Sequence, residues 1–456
     1  MTIHGRTKIW SVVALLSVHG VAWAATDTAA PIDEPGENIT KERQAPDAQH
    51  AGLPGNLHLE GWLKQETAYR LDTPRVFTKI KQQGLLTETG SLTDALSFKA
   101  TQRMWYDAIY DVSDHFPKTA ERGGQEFDAE LRETYLDYSQ GNFDVRVGKQ
   151  QIVWGDAVGL FFADVVNAKD LREYVLPDFD LIRIPQWGVD LEFTQDPVHA
   201  EFVWLPVLQF NRLGTSGSEF EFPYPVPPGV AFTTTDPSKP PSAFDNSEIG
   251  GRLSYLIDGW DVSGFYFHTW DKFPVPYRRI ASGVYHFDPA YQRADLWGMS
   301  FSKDLQAVVL KGELVYNPRQ SLVTFDSTDP DGIVEKNALD YLVGVDHTFF
   351  DRLETNVQLM ERWIPNHRDQ MQDDPLTTHV SFWAKTNFLD GKLQPECLLI
   401  TSVAETDLLL RPKVTYNVTD SLGFAFGADM FQGHDPGLFG RFDGKSRVYT
   451  EVTYRF

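Results

Sequence analysis

The chain has 456 residues, with 64 Asp and Glu against 41 Lys and Arg and a net charge of -23 at neutral pH. That balance excludes a continuous phosphate-binding face, so nucleic acid is not expected as a partner. Its single cysteine, Cys397, excludes an intramolecular disulfide. Beyond the N-terminus no window approaches about twenty uncharged apolar residues, so any membrane reading has to rest on strands.

In chain order, Arg6 and Lys8 precede an apolar run over residues 9 to 18 and then Ala22-Trp23-Ala24. This is the layout of a secretory signal peptide over residues 1–24, with an apolar core too short to span a bilayer as a helix. Residues 25–55 are polar and Pro-containing without periodicity and read as a flexible periplasmic segment. Residues 56–456 then alternate with period two, interrupted by two kinds of connection that take turns. Tight turns, such as Ser139-Gln140-Gly141-Asn142 and Asp258-Gly259-Trp260-Asp261, are rich in Gly, Asn and Asp. Long connections cover roughly 154 to 185, 209 to 247, 270 to 292, 318 to 336, 364 to 375 and 433 to 444. This rhythm predicts an all-β transmembrane antiparallel barrel of about eighteen strands, with sixteen as the alternative because the segment near 76 to 89 is the weakest. The expected location is the outer membrane of a Gram-negative cell, with outer-membrane lipid around the barrel.

Within each strand one face is apolar and the other polar. Leu408, Leu410, Val414 and Tyr416 oppose Arg411, Lys413, Thr415 and Asn417, and Trp187, Val189, Leu191 and Phe193 oppose Gly188, Asp190 and Glu192. The polar set is expected to line the lumen. Arg103, Arg252, Arg362, Arg411, Lys413, Asp190 and Glu192 are the candidate selectivity residues. Cross-strand salt bridges that stiffen the wall are the competing role for the same side chains.

The connection after the fifth strand differs in texture. Residues 163 to 174 have helical spacing of apolar residues and an Asn or Asp cap, which predicts a helix there. Its apolar residues Leu160, Phe161, Phe162, Val165 and Val166 would make an adhesive patch outside, so the loop is expected to fold inward. Trp154, Asp156, Asp164, Asn167, Asp170 and Arg172 are its candidate constriction residues.

The segment Gly148-Lys149-Gln150-Gln151-Ile152-Val153-Trp154-Gly155-Asp156, followed by Asp164-Val165-Val166-Asn167-Ala168-Lys169-Asp170, resembles a shared stretch of a large proteobacterial family of outer-membrane barrels of unknown function. Ala168 departs from that pattern, which has Pro after the Asn. The resemblance implies a porin-like barrel, and in weaker form traffic of hydrophobes or lipid beside RND-type exporters. The C-terminal strand, ending Tyr454-Arg455-Phe456, resembles the signal read by the barrel-assembly machinery.

Catalysis is not expected. His379-Val380-Ser381 resembles the His-x-Ser pair of outer-membrane phospholipase A, but here the pair shares its face with Lys385 and Asn387, away from lipid. Metal sites and cofactors are not expected either: the 12 His are scattered and no Gly-rich phosphate loop precedes a helix. The preferred reading is a channel for passive or facilitated diffusion of a small hydrophobic or anionic solute. The alternatives are an accessory barrel with a periplasmic or exporter partner, then a lipid hydrolase.

Overall fold

The computed structural model describes residues 56–116, 124–155, 157–227 and 229–456. The expected signal peptide, the expected periplasmic segment and Asp156 lie outside the described residues.

The alternating segments form eighteen strands in one sheet. They are Leu57–Arg70, Phe77–Ser91, Leu96–Asp107, Phe127–Gln140, Phe143–Gln150, Gln186–Gln195, Val198–Leu205, Glu248–Ile257, Trp260–Trp270, Arg293–Asp304, Val309–Val323, Ile333–Phe349, Leu353–Trp363, Leu376–Lys385, Leu393–Ser402, Asp407–Asn417, Leu422–Gly433 and Arg447–Arg455. Each pairs antiparallel with the next in this series. The last pairs with the first, from Trp62 opposite Arg455 to Arg70 opposite Arg447, so the sheet is closed and has no free edge. The weakly patterned segment is a full strand, Phe77–Ser91, which decides for eighteen over sixteen.

Closure runs to the final residue. The Phe456 amide donates to the Gly61 carbonyl at 3.0 Å and the Gly61 amide to the Phe456 carbonyl at 2.9 Å. A Cβ on Gly61 would lie 2.8 Å from the Phe456 ring and 2.6 Å from the Leu85 carbonyl oxygen, so only glycine fits the seam without a shift.

The two faces separate as alternation requires. In Leu353–Trp363, Val357 and Leu359 are 47% and 44% exposed, whereas Asn356, Gln358 and Met360 are at 2%, 2% and 1%. Trp187, Phe202, Leu253, Trp297, Val343, Phe382 and Phe426 extend the exposed apolar band across the barrel, a surface that lipid can cover and water cannot solvate cheaply. At one end the hairpins are tight. Asp258 and Gly259 have φ of 50° and 73°, the left-handed pair of a two-residue turn.

At the other end the connections are long, and two small sheets form among them. Ala168–Leu171 pairs parallel with Arg212–Leu213 and antiparallel with Arg183–Ile184. Val284–Phe287 pairs with both Arg278–Ala281 and Phe232–Thr234. The helix expected over 163 to 174 is not formed. Its middle is the strand Ala168–Leu171, followed by a turn, and the helical residues of the connection are Phe179–Ile182. Two local facts overrule the helical spacing: the Lys169 amide is claimed by Asn211 Oδ1 at 2.7 Å, and Tyr174 sits at φ 54°, outside the right-handed helical region.

Replacing Gly61 by Val is expected to destabilise the barrel by about 1–3 kcal/mol, through displacement of the Phe456 ring and the seam ladder. The urea midpoint in lipid vesicles measures this, and an unchanged midpoint would show that the seam does not depend on Gly61.

Candidate functional site

The site is the lumen, and the chain that shapes it is the connection 151–185. Two glycines start it. Gly148 has φ 140°, and a Cβ there would meet the Thr134 carbonyl oxygen at 2.3 Å; a Cβ on Gly155 would meet the Asp164 amide at 2.5 Å. Between them the backbone leaves the wall and folds back on itself.

Asn167 clasps the fold. Its Nδ2 donates to the Ile152 carbonyl at 2.6 Å and its Oδ1 accepts from the Ile152 amide at 3.3 Å, both in a buried place. Asp164 accepts from Arg183 Nε at 2.7 Å and lies 3.5 Å from Lys169 Nζ. Burial opposes the Asp164 charge, but Lys169 and Arg183 outweigh it and hold the carboxyl below the usual carboxylate range. Lys169 is less well compensated, and burial pulls its ammonium down to about 8.

The connection crosses the lumen and is packed on both sides. On one, Trp154 donates from Nε1 to Glu201 at 2.9 Å and its ring meets Phe265 and Phe267 at 5.1 and 5.7 Å. Ala163 and Val166 join it against Val203, Leu205 and Val315 of the wall, and the Ala163 amide donates to Glu313 at 2.8 Å. On the other side Tyr174, Val175 and Leu176 pack against inward-facing Leu342, Met360, Ile400, Leu409 and Phe431. There the Tyr174 hydroxyl donates to the Leu438 carbonyl at 2.8 Å, and Arg411 donates to the carbonyls of Val175 and Leu176 at 3.2 and 2.6 Å. These inward apolar residues break the expected polar lining where the loop docks, because they face protein rather than water.

Cavities lie between residues 170–181 of the loop and a basic arc of wall. Two adjoining cavities of about 50 Å³ each share Lys79, Lys81, Arg103, Glu173 and Arg447 among their lining residues. Glu173 bridges the ammonium groups of Lys79 and Lys81, the latter at 2.5 Å, and Lys79 also contacts Glu66 at 2.8 Å. Burial pushes the Glu173 carboxyl up, but Lys79 and Lys81 outweigh it and hold it well below its ordinary value. Trp105 lies beneath Lys81, Arg103 and Arg172, at 4.7, 4.6 and 4.9 Å from its ring centre.

Of the candidate selectivity residues, Arg103, Arg411 and Lys413 come together on this arc. Arg103 donates to Gln83 Oε1 at 3.0 Å, Arg411 binds Asp429 at 2.9 Å and Lys413 binds Glu451 at 3.1 Å. The others lie elsewhere in wall networks. Arg362 pairs with Asp340 at 2.8 Å, Arg252 donates to Ser263 at 3.0 Å, Asp190 lies 4.0 Å from Arg146 and Glu192 is 3.2 Å from His199. In the loop, Asp170 accepts from Arg172 at 2.8 and 2.5 Å, and Arg172 reaches Asp128 at 3.2 Å. Tyr454 and Phe456 stack at the seam with ring centres 6.3 Å apart.

Lys79, Lys81, Glu173, Arg447 and Trp105 were not among the sequence candidates. The lysines carried a signal, since Lys79-Ile80-Lys81 places two cations on one face of a strand. Glu173 carried none, because its partners are distant in sequence.

His379 and Ser381 face inward as their alternation requires, and no hydrogen bond joins them among the described residues. His379 Nε2 meets Asp407 Oδ2 at 3.2 Å, while Asp407 accepts the amides of Leu438, Phe439 and Gly440 at 3.0, 2.8 and 2.6 Å. This fastens the last long connection to the wall. Ser381 Oγ is buried without a hydrogen-bond partner among the described residues. No group of three or more His, Cys, Asp or Glu suited to a metal ion occurs among the described residues.

Asn167→Ala leaves the buried Ile152 amide and carbonyl unsatisfied, which should cost about 1–3 kcal/mol. Limited trypsin digestion is expected to nick the variant within 157–183 under conditions that spare the parent. Equal resistance of the two would show that wall packing alone holds the loop.

Comparison with solved structures agrees with this architecture. Acinetobacter baumannii OccAB1 superimposes with a TM-score of 0.53 at 10% identity over 88% of this chain and 96% of that one. Pseudomonas aeruginosa OccK9 (OpdG) gives 0.51 at 11% identity over 88% and 98%. At such identities the likeness is one of fold, a porin-like barrel. No curated protein matches the chain. A family model described as "Protein of unknown function (DUF1302)" matches residues 81–446, and the chain belongs to that family.

Proposed function

We propose that the protein is an outer-membrane channel through which a small anionic or amphipathic solute diffuses, with the 151–185 connection as its constriction. The observation that carries this reading is the position of these cavities. The loop is sealed by apolar packing against two sectors of the wall, and the cavities beside it lie on the third, basic sector. Cations set along a low-dielectric passage raise the local concentration of anions and lower the barrier to their entry. The closed barrel and its exposed apolar band support the location.

The inward-facing patch of Leu342, Met360, Ile400 and Leu409 favours a second reading, in which a hydrophobe or lipid is handed across the outer membrane in company with an RND-type exporter or a periplasmic partner. Under that reading the patch is a surface the cargo uses when the loop moves. Co-purification of an exporter subunit, and retention of a hydrophobe in the periplasm on deletion of the protein, would favour this reading over free diffusion.

For the channel, planar-bilayer recording of the purified barrel should show discrete steps that grow at least twofold on deletion of residues 160–180. Silence in both forms would overturn the proposal.

A further inference from the structure

Most cations of the basic arc are held by carboxylates of the wall itself. Arg411 and Arg447 share Asp429 at 2.9 and 2.8 Å, and Lys413 is held by Glu451 at 3.1 Å. Lys81 differs. Among the described residues its ion-pair partner is Glu173, which the wall does not supply and which arrives on the loop. Lys79 has both kinds of partner, Glu66 from the wall and Glu173 from the loop. Taking Glu173 away would therefore leave a seat of carboxylate size, with Lys79 still paired to Glu66 and Lys81 left with the Asp107 opposite it on the next strand, whose Oδ1 already accepts the amides of Ile80 and Ile109.

Beside that seat lie buried apolar side chains. Trp105 faces the same cavity as Lys79, Lys81 and Glu173, and Phe220 and Leu181 line it too. The indole now carries Lys81, Arg103 and Arg172, so a flat apolar body would stack on it in place of one of these cations while its acidic group reaches the lysines.

We propose that the Lys79 and Lys81 pair is a binding site for the carboxylate of an amphipathic solute, with Trp105 receiving the solute's apolar body, and that Glu173 occupies this site as an internal place-holder until the solute displaces it. The inference rests on the channel reading of the same lumen and gives it a substrate class. Exchange of one carboxylate for another conserves the buried charge, so the lysines are never left desolvated and unpaired, the arrangement that would be most unfavourable. An uncharged solute of the same shape gains the indole contact but cannot displace Glu173. A small carboxylate without an apolar body displaces it with no compensating contact.

The test is calorimetric titration of the purified full-length barrel in detergent with benzoate, acetate and benzyl alcohol. Benzoate should bind, with acetate and benzyl alcohol at least tenfold weaker. Glu173→Gln should tighten benzoate at least tenfold, because the place-holder no longer pairs with the lysines, and Lys81→Met should abolish binding. Equal binding of benzyl alcohol and benzoate to the unaltered protein would overturn the proposal without recourse to any variant, as would unchanged benzoate affinity in a folded Glu173→Gln protein. Bilayer recording on the same preparation separates this inference from the one beneath it. Conductance without benzoate binding defeats the site alone, and benzoate binding without conductance defeats the channel alone.

Discussion

A backbone surrounded by hydrocarbon has no water to bond to, so each strand must find both neighbours within the chain. The pairing of Leu57–Arg70 with Arg447–Arg455 meets that demand, and everything else depends on it. Once the seam closes, side chains are sorted into those that meet lipid and those that meet the lumen. The 151–185 connection can then be enclosed. Phe456 belongs to this constraint in a literal way, since its own amide and carbonyl complete the ladder against Gly61.

Enclosure changes what the inward face has to be. A lumen filled with water needs polar walls, and a lumen filled by protein can be apolar wherever that protein touches it. Both conditions occur in this barrel. Val203, Leu205 and Phe267 on one sector, and Leu342, Met360 and Ile400 on another, are as buried as the core of a soluble domain because the loop packs there, joined on the second sector by Phe220, Phe439 and Phe442 of two other long connections. The remaining sector keeps its charges, and its space lies where loop carboxylates face wall cations. Ion pairs of this kind add little net stability when both partners are desolvated, but breaking one leaves a costly bare charge.

The barrel was legible because its evidence is periodic. Alternation at period two, turns that take short and long forms in succession, and a terminal aromatic are repeated many times over, so one weak segment, Phe77–Ser91, did not mislead the count by much. The inward loop was legible for a different reason: Phe161, Phe162, Val165 and Val166 had nowhere else to go. Its internal structure was not. Helical spacing in 163 to 174 is a local signal, and it lost to bonds made across long separations, by Asn167 to Ile152 and by Asn211 to Lys169. The site shows the same division. Arg103, Arg411 and Lys413 were found because each sits on the polar face of a strand. Glu173 was missed because its role is defined by Lys79 and Lys81, which are distant in sequence and neighbours only after the loop turns inward.

The loop lies inside the barrel and packs on its wall. Leu342 is an inward wall residue, 2% exposed, in the apolar cluster that Tyr174, Val175 and Leu176 of the loop join. In a Cys397→Ser background, a Leu342→Cys thiol should react with a membrane-impermeant thiol reagent far more slowly in the intact barrel than in one lacking residues 160–180. Rapid labelling at the same rate in both would contradict the account, because it would mean that the wall at Leu342 is open to water whether or not the loop is there.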